Sequence, residues 1–437
     1  MNAPMSTPRI CHAEHMPGTV AQDAHVPVLI VGGGACGLTA ALMLHDAGVD
    51  CAVLERDATP LGSSALSSGF IPAPGTQAQR AAGIDDSPER FAADISAKAK
   101  GRAAPHLVQA YAQAIGPALD ALQDRHGLQW QVLDGFLYPG HSVCRMHATP
   151  EKTGVGLMGR LANAVTAVDI PLITEATVRE LWVNADHALL PEMRDALFAG
   201  HTGNDGSAIA WGQALGARLA DLGGYQGHGS WAIPQGALIS WALMMEGGIQ
   251  VNALGERFHD ETQGYSEASV HVLAQPGGVA WNVFDAPILA LARGFPDFVD
   301  AEAAGAVKHC DSVQALAALI GCEESKLIAT LSNTTSASGQ NDHNRRVFAR
   351  PLQAPFCAVK VTGALFHTQG GLDIDAQCRV LGQTGQPFPN LLAAGGAARG
   401  VSADAVWGYL SGNGLLSAVA GGYIAAHTAA GLNRQKV

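Results

Sequence analysis

The chain has 437 residues, 48% of them apolar and 15% charged, a composition that excludes disorder for its bulk. Basic residues number 26 and acidic residues 38, and the net charge of −12, with histidine neutral, argues against a nucleic-acid binder. The length predicts roughly two or three domains, and the eight cysteines form no CxxC pair, so neither a zinc ribbon, a dithiol redox motif nor an attached c-type haem is supported.

Residues 1–24 are polar and lack the apolar stretch of a secretory signal. They are expected to be a flexible tail on a cytoplasmic protein with reduced thiols. Val26–Val31 reads as a buried parallel strand that runs into Gly32-Gly33-Gly34-Ala35-Cys36-Gly37. A helix over Leu38–Ala47 and a second strand over Asp50–Leu54 follow, closing on Glu55. Residues 57–83, rich in Ser, Gly and Pro, predict a long ordered loop, and 87–127 a helical stretch broken at Gly101 and Pro105. Strands and turns are expected around Trp130–Pro139, a helix over Leu157–Ala167 and two short strands within Pro171–Trp182. The stretch 185–222 reads as helical with a turn at Gly203–Gly206, and a mixed region runs to about 360. The glycine-rich end finishes in a small-residue helix, Gly414–Gly431, whose composition predicts a packed core helix and no membrane span.

The first βαβ unit carries the chemistry. Gly32 lets the chain turn off the strand, Gly34 lets a pyrophosphate approach the backbone, and Gly37 lets helix and strand pack closely. The helix N-terminus offers N–H groups and partial positive charge to phosphates. Glu55 lies 23 residues after Gly32, where a carboxylate accepts ribose hydroxyls and disfavours the extra phosphate of NADP. The competing reading is a structural glycine turn. Between NAD and FAD, the cluster Gly62-Ser63-Ser64-Ala65-Leu66-Ser67-Ser68-Gly69 favours FAD, because hydroxyls and flexible backbone suit a cofactor held along its whole length. An exposed Ser/Gly linker is the plainer alternative.

With these residues in place, the sequence resembles the branch of FAD-dependent oxidoreductases that holds soluble fumarate reductases, succinate dehydrogenase flavoproteins and 3-ketosteroid dehydrogenases. The resemblance rests on the two glycine-rich segments, on Gly255-Glu256-Arg257-Phe258 through Glu261, on His367-Thr368-Gln369-Gly370-Gly371, on Ala393-Ala394-Gly395 and on Gly408–Leu415. It implies an α/β fold: a Rossmann-like FAD-binding domain of the glutathione-reductase type with an inserted α+β cap domain. The FAD domain maps to 25–222 and 362–437, the cap to 223–361. Cofactor contacts implied are Gly32, Gly34, Ala35, Cys36 and Gly37 at the pyrophosphate, Glu55 and Arg56 at the adenosine, and Gly62, Ser63, Ser64, Ser67, Ser68 and Gly69 along the loop. Val178 and Gly395 join them, with Asn413, Gly414 and Leu415 at the flavin end. The acid that usually follows Ala-Ala-Gly and holds the ribityl chain is Gly396 here.

The resemblance also sets expectations for substrate. The fumarate-reductase proton-donor arginine position falls on Tyr265 and the carboxylate-binding arginine on Tyr409. The substrate histidine of the family's His-x-Thr-x-Gly-Gly motif falls on Phe366, with His367 one place along, and only His228 matches a fumarate-reductase substrate ligand. Without the arginines there is no planar fork for a carboxylate. Two tyrosines resemble the 3-ketosteroid dehydrogenases, which implies a base at Tyr265 and a carbonyl donor at Tyr409, with hydride passing to or from flavin N5. Tyr265 serves as base only if its phenol is lowered from about 10. Each tyrosine, and His228, has the alternative of a satisfied structural side chain. The expected partners are a small carbonyl or enone substrate and an unassigned electron acceptor, with no nucleic acid. A fumarate-reductase-like enoate reductase and an inactive or flavin-poor truncated relative are the alternatives.

The last is motivated by a gap. After Leu181-Trp182-Val183-Asn184 the family continues with a strand meander and an apolar strand beside FAD, whereas here Ala185-Asp186-His187 and Leu189–Met193 follow at once. The sheet is expected to lack a strand next to the cofactor.

Overall fold

The computed structural model describes residues 9–12, 26–183, 199–201, 203–333 and 350–434. Asn184 and the segment that bears the expected gap lie outside them. Strand β1, Arg9–His12, falls within the stretch read as a tail and pairs in parallel with β5, Glu180–Val183.

The first lobe is built on β2, Val28–Val31, and α1, Ala35–Asp46, followed by β3, Cys51–Leu54. Val28 and Ile30 pack into the core while Leu29 and Val31 point away, the period-two alternation of a strand. Helix α1 is buried from Ala35 through Leu44 at almost every residue, as its Ala- and Leu-rich sequence requires. Around it pack α2, Pro88–Lys98, α3, Pro105–His126, and α4, Gly154–Ala167. Both α2 and α3 start with proline at the first turn, where no backbone N–H is needed. Helix α3 ends on Gly127 in the left-handed conformation. The sheet runs β2–β3–β4 in parallel, β4 being Leu172–Ile173. Among the described residues β2 therefore pairs on one side only.

The second lobe is a six-stranded antiparallel sheet. Its strands are β6, Tyr225–Ala232; β7, Ala237–Leu238; β8, Ile249–Val251; β9, Val279–Asp285; β10, Lys308–Cys310; and β11, Phe356–Thr368. The order is β7–β6–β11–β9–β8, with β10 also pairing β11. Helix α5, Tyr265–Leu273, lies across β6 and β11, and its fit depends on Gly227, Gly229 and Gly363, where a Cβ would come within 3.0 Å of α5 atoms. This lobe has its own apolar core, separate from that around α1.

Beyond β11 the chain returns to the first lobe through β12, Arg379–Leu381, and β13, Pro387–Leu392, an antiparallel pair. It ends in α6, Asn413–Arg434. This helix is long and apolar enough to cross a membrane, but it is largely buried against α1 and α3. A Cβ on Gly422 would sit 2.4 Å from the Cys36 carbonyl oxygen, so the two helices touch through backbone.

Candidate active site

The glycine turn has the geometry its sequence predicts. Gly32 has φ +103°, and a Cβ on Gly37 would lie 2.0 Å from the Gly32 carbonyl oxygen. A Cβ on Gly34 would meet nothing nearer than the Ser64 Oγ at 3.9 Å, which leaves an open approach to the backbone. Helix α1 starts at Gly34 without a side-chain cap and without an acid in its first turn. The Ala35 N–H donates to Ser64 Oγ at 3.3 Å, and a helix start without a side-chain cap leaves first-turn N–H groups able to hold an anion. Cys36 packs against Gly395, whose φ is +59° and whose Cβ would fall 3.0 Å from Cys36 Cβ.

Glu55, just after β3, accepts from the Gly33 N–H at 2.7 Å and from the Asp57 N–H at 2.9 Å. A carboxylate has lone pairs beyond these two for ribose hydroxyls. Arg56 donates to the Gly203 carbonyl at 3.0 Å and pairs with Asp57 and Asp205. The loop after Glu55 contains a short helical turn, Gly62–Ala65, packed on the start of α4, where a Cβ on Gly154 would be 2.3 Å from the Ser64 carbonyl. Ser67 Oγ donates to the Ser64 carbonyl and accepts from the Gly69 N–H, an ordered turn rather than a loose linker. Ser63 accepts from the His201 N–H and from Asn204, and Ser68 donates to Asp297 at 3.0 Å. Val178 lies half-buried in the segment that follows β4.

At the other end, the N-terminus of α6 meets the second lobe. Asn413 is wholly buried; its Nδ2 donates to Ser402 Oγ at 3.0 Å, and its Oδ1 has no partner among the described residues. Ser402 in turn donates to Gln369 Oε1 at 2.8 Å. The His367 ring sits on Gly414, where a Cβ would be 2.7 Å from Nε2, and Leu415 is buried behind it. An uncapped helix start, an acid at the end of β3 and an orphaned buried amide oxygen at the start of α6 together fit a long phosphate-bearing cofactor such as FAD.

The two tyrosines and His228 are brought together. Tyr265 opens α5, and Tyr409 stands four residues before α6. Their rings are 6.0 Å apart, and His228 on β6 stacks on Tyr265 at 4.7 Å and 18°. Trp241 and Phe366 complete the wall, 5.9 Å and 5.6 Å from His228. The Gly414 N–H donates to the Tyr409 hydroxyl at 3.4 Å.

Burial dominates the electrostatics of these three side chains. Burial pushes the Tyr265 phenol up to about 12, against contacts with Ser411, Tyr409 and the Gly412 backbone that pull it down. The lowered phenol that a resting base needs is not met. Burial, then the neighbouring Tyr265, holds Tyr409 well above the ordinary phenol value. Burial pushes His228 down to about 3, and its Nδ1 accepts from the Ser230 N–H at 3.1 Å. His228 is thus neutral with its proton on Nε2, a donor rather than a cation.

A second network supports the turn that carries Tyr409. Arg145 is fully buried, binding Asp86 at 2.8 and 2.9 Å and pairing with Asp94. Its Nη1 donates to His141 Nδ1 at 3.1 Å, and His141 Nε2 donates to the Ser411 carbonyl at 3.0 Å. Sequence reading missed Arg145, His141 and Ser411. Only His367, one place from a recognised motif, left a signal.

Residues 27–199 and 184–415 match the FAD binding domain family. The chain belongs to that family. FAD is accordingly its cofactor. A similar protein is the NADH:fumarate oxidoreductase of Klebsiella pneumoniae, 26% identical over 94% of this chain and 48% of its own length. A probable fumarate reductase of Shewanella frigidimarina is 27% identical over 92% of this chain and 74% of its own. The chain thus spans about half of the first relative and three quarters of the second. In fold it is similar to an open flavocytochrome c3 fumarate reductase, with a TM-score of 0.73 at 24% identity over 93% of this chain and 78% of that one. It is also similar to the 3-ketosteroid-Δ4-(5α)-dehydrogenase of Rhodococcus jostii RHA1, with a TM-score of 0.71 at 22% identity over 97% and 99%.

Proposed function

We propose that the protein is an FAD-dependent oxidoreductase acting on the carbon–carbon bond next to the carbonyl of a neutral substrate, and that Tyr265 is its proton donor in the direction of reduction. The observation that carries this reading is the pair of buried phenols, Tyr265 and Tyr409, beside a neutral histidine and walled by uncharged rings. A carboxylate substrate calls for guanidinium forks. His228 offers one N–H instead.

Bound FAD supplies or accepts the hydride. Tyr265 gives its proton to the carbon α to the carbonyl. The phenolate left behind is held by Ser411 and the Gly412 backbone. Tyr409 and the Nε2–H of His228 donate to the carbonyl oxygen, where negative charge gathers in the transition state. A raised phenol suits this direction, because a donor must stay protonated until the moment of transfer. In the reverse direction the same oxygen takes the proton back, which makes dehydrogenation, the direction the sequence left open, the slower limb.

The test is turnover by FAD-saturated protein with a reduced viologen dye, comparing 4-androstene-3,17-dione and cyclohexenone with fumarate and acrylate. The neutral enones are expected to oxidise the dye, and Tyr265→Phe to stop it. Turnover of fumarate without turnover of any neutral enone would overturn the reading in favour of an enoate reductase like the named relatives.

A further inference from the structure

One face of helix α2 reaches the segments that carry both tyrosines. Phe91, Asp94 and Lys98 stand at i, i+3 and i+7 on that face. Arg145 lies over the Phe91 ring at 4.8 Å, and His141 stacks on it at 6.1 Å and 22°. Asp94 pairs with Arg145, and His141 holds the Ser411 carbonyl in the turn between Tyr409 and α6. One helical turn further along, Lys98 crosses to the other lobe. Its Nζ donates to the Gln263 carbonyl at 2.7 Å and pairs with the Glu267 carboxylate. These acceptors lie two residues before and two residues after Tyr265.

The crossing is built rather than incidental. The Lys98 and Glu267 side chains are only 11% and 13% exposed. Glu267 Oε2 is buried with no partner among the described residues, so this carboxylate is held in place by the lysine on its other oxygen. The lysine stem runs past Gly140, where a Cβ would meet Leu410 Cδ1 at 2.7 Å and Lys98 Cδ at 3.6 Å. Leu410 is the residue after Tyr409. Nothing in the chemistry of hydride or proton transfer needs a buried lysine–glutamate pair at this distance from the phenols, and a pair of this kind adds little to stability over an apolar one.

The structure assigns Lys98 as the positioning residue of the proton donor: by clasping the first turn of α5 on both sides of Tyr265, it sets that phenol, borne by the second lobe, against the Tyr409 turn of the first. Asp94 fixes one phenol and Lys98 the other, from a single rigid helix. The assignment rests on the proton-donor reading given above, and an error of about 1 Å in such a placement costs on the order of a hundredfold in rate.

The experiment compares FAD-saturated wild type, Lys98→Met and Lys98→Arg. Turnover with a neutral enone is resolved into kcat and KM, and amide exchange is measured over 262–270 without substrate. Lys98→Met is expected to lower kcat tenfold or more with KM held within about twofold, and to speed exchange in the first turn of α5. Lys98→Arg is expected to restore kcat to within about threefold, since a guanidinium spans the same two acceptors. A smaller loss in the methionine variant, or no recovery in the arginine variant, overturns the assignment. Should Lys98→Met fail to fold because Glu267 is left buried and charged, Lys98→Met/Glu267→Gln removes both charges and is judged by the same kcat criterion. If wild type reduces no neutral enone, the reaction reading falls by itself. The exchange of α5 then decides: unchanged protection in the methionine variant rejects the clasp, and lost protection upholds it.

Discussion

Lowering the pH from about 7.5 to about 5.5 is expected to remove roughly 5 kcal/mol of folding stability, through four buried histidines. Burial pushes His141, His147 and His259 to about 4 and His228 to about 3. All four are within 5% of complete burial. Their hydrogen bonds agree with a neutral ring: His141 Nδ1 faces the Arg145 guanidinium and His228 Nδ1 faces the Ser230 N–H, so a proton on either would meet another donor. In the unfolded chain each imidazole titrates near 6.5, so between about 6.5 and 4 the unfolded state binds protons that the folded state refuses. Stability therefore rises with pH across this window and is lost on acidification through it. Each histidine contributes a little over 1 kcal/mol across the two units, and carboxylates, which titrate near 4, add little. Against a total of about 5–15 kcal/mol this is a large share. The assay is urea unfolding of flavin-saturated protein at the two pH values and constant ionic strength. His259→Gln should shrink the difference by about a quarter. A loss below about 2 kcal/mol would refute the reasoning, since it would mean that these rings take up protons without unfolding.

Arg145→Met removes the bidentate partner of Asp86, whose side chain is wholly buried, and should cost about 3–5 kcal/mol in the same unfolding assay; a variant as stable as the parent would remove the network from the account. Tyr265→Phe should lower enone reduction by about 10²–10⁴-fold without changing the FAD released on denaturation. Because the phenol is pushed up to about 12, wild-type turnover should stay level through about pH 10, where an ordinary tyrosine would be half ionised. Gly37→Ala places a methyl 2.0 Å from the Gly32 carbonyl, with backbone on both sides of the contact. It is expected to lose about 1–3 kcal/mol and to bind less FAD, measured as melting temperature and flavin content, and full flavin content would show that the turn can open.

Much of the cradle was legible because it depends on backbone. Gly32, Gly34 and Gly37 have their roles by lacking a Cβ, and a missing side chain shows in a sequence as plainly as in a structure. Tyr265, Tyr409 and His228 came from the family resemblance, position by position, and the fold brings their rings together, His228 to Tyr265 at 4.7 Å and Tyr265 to Tyr409 at 6.0 Å. The direction of the Tyr265 shift was not legible, because it depends on how many atoms surround the ring and not on which residues precede it. Lys98, Asp94, Arg145 and His141 were invisible for a different reason. They act across 51 to 270 positions of chain, and a lysine in an alternating charged stretch reads as solvated surface until the other lobe is seen to cover it. The strand Arg9–His12 escaped notice because four residues with no flanking pattern carry no periodicity to read.

The one-sided pairing of β2 has a consequence for how the purified protein must be handled. Among the described residues the unpaired edge runs through Val28–Val31, and Leu29 and Val31 beside it are about half exposed, at 53% and 49%, with Ile173 of the same sheet at 48%. Such an edge is a template on which another chain can lay a strand, and no lysine or proline within β2 blunts it. Because this strand leads directly into the glycine turn, a cofactor bound at the turn would order the residues next to the edge. Excess FAD should then act as a solubilising agent, and stripping it should shorten shelf life well before it changes the helical content.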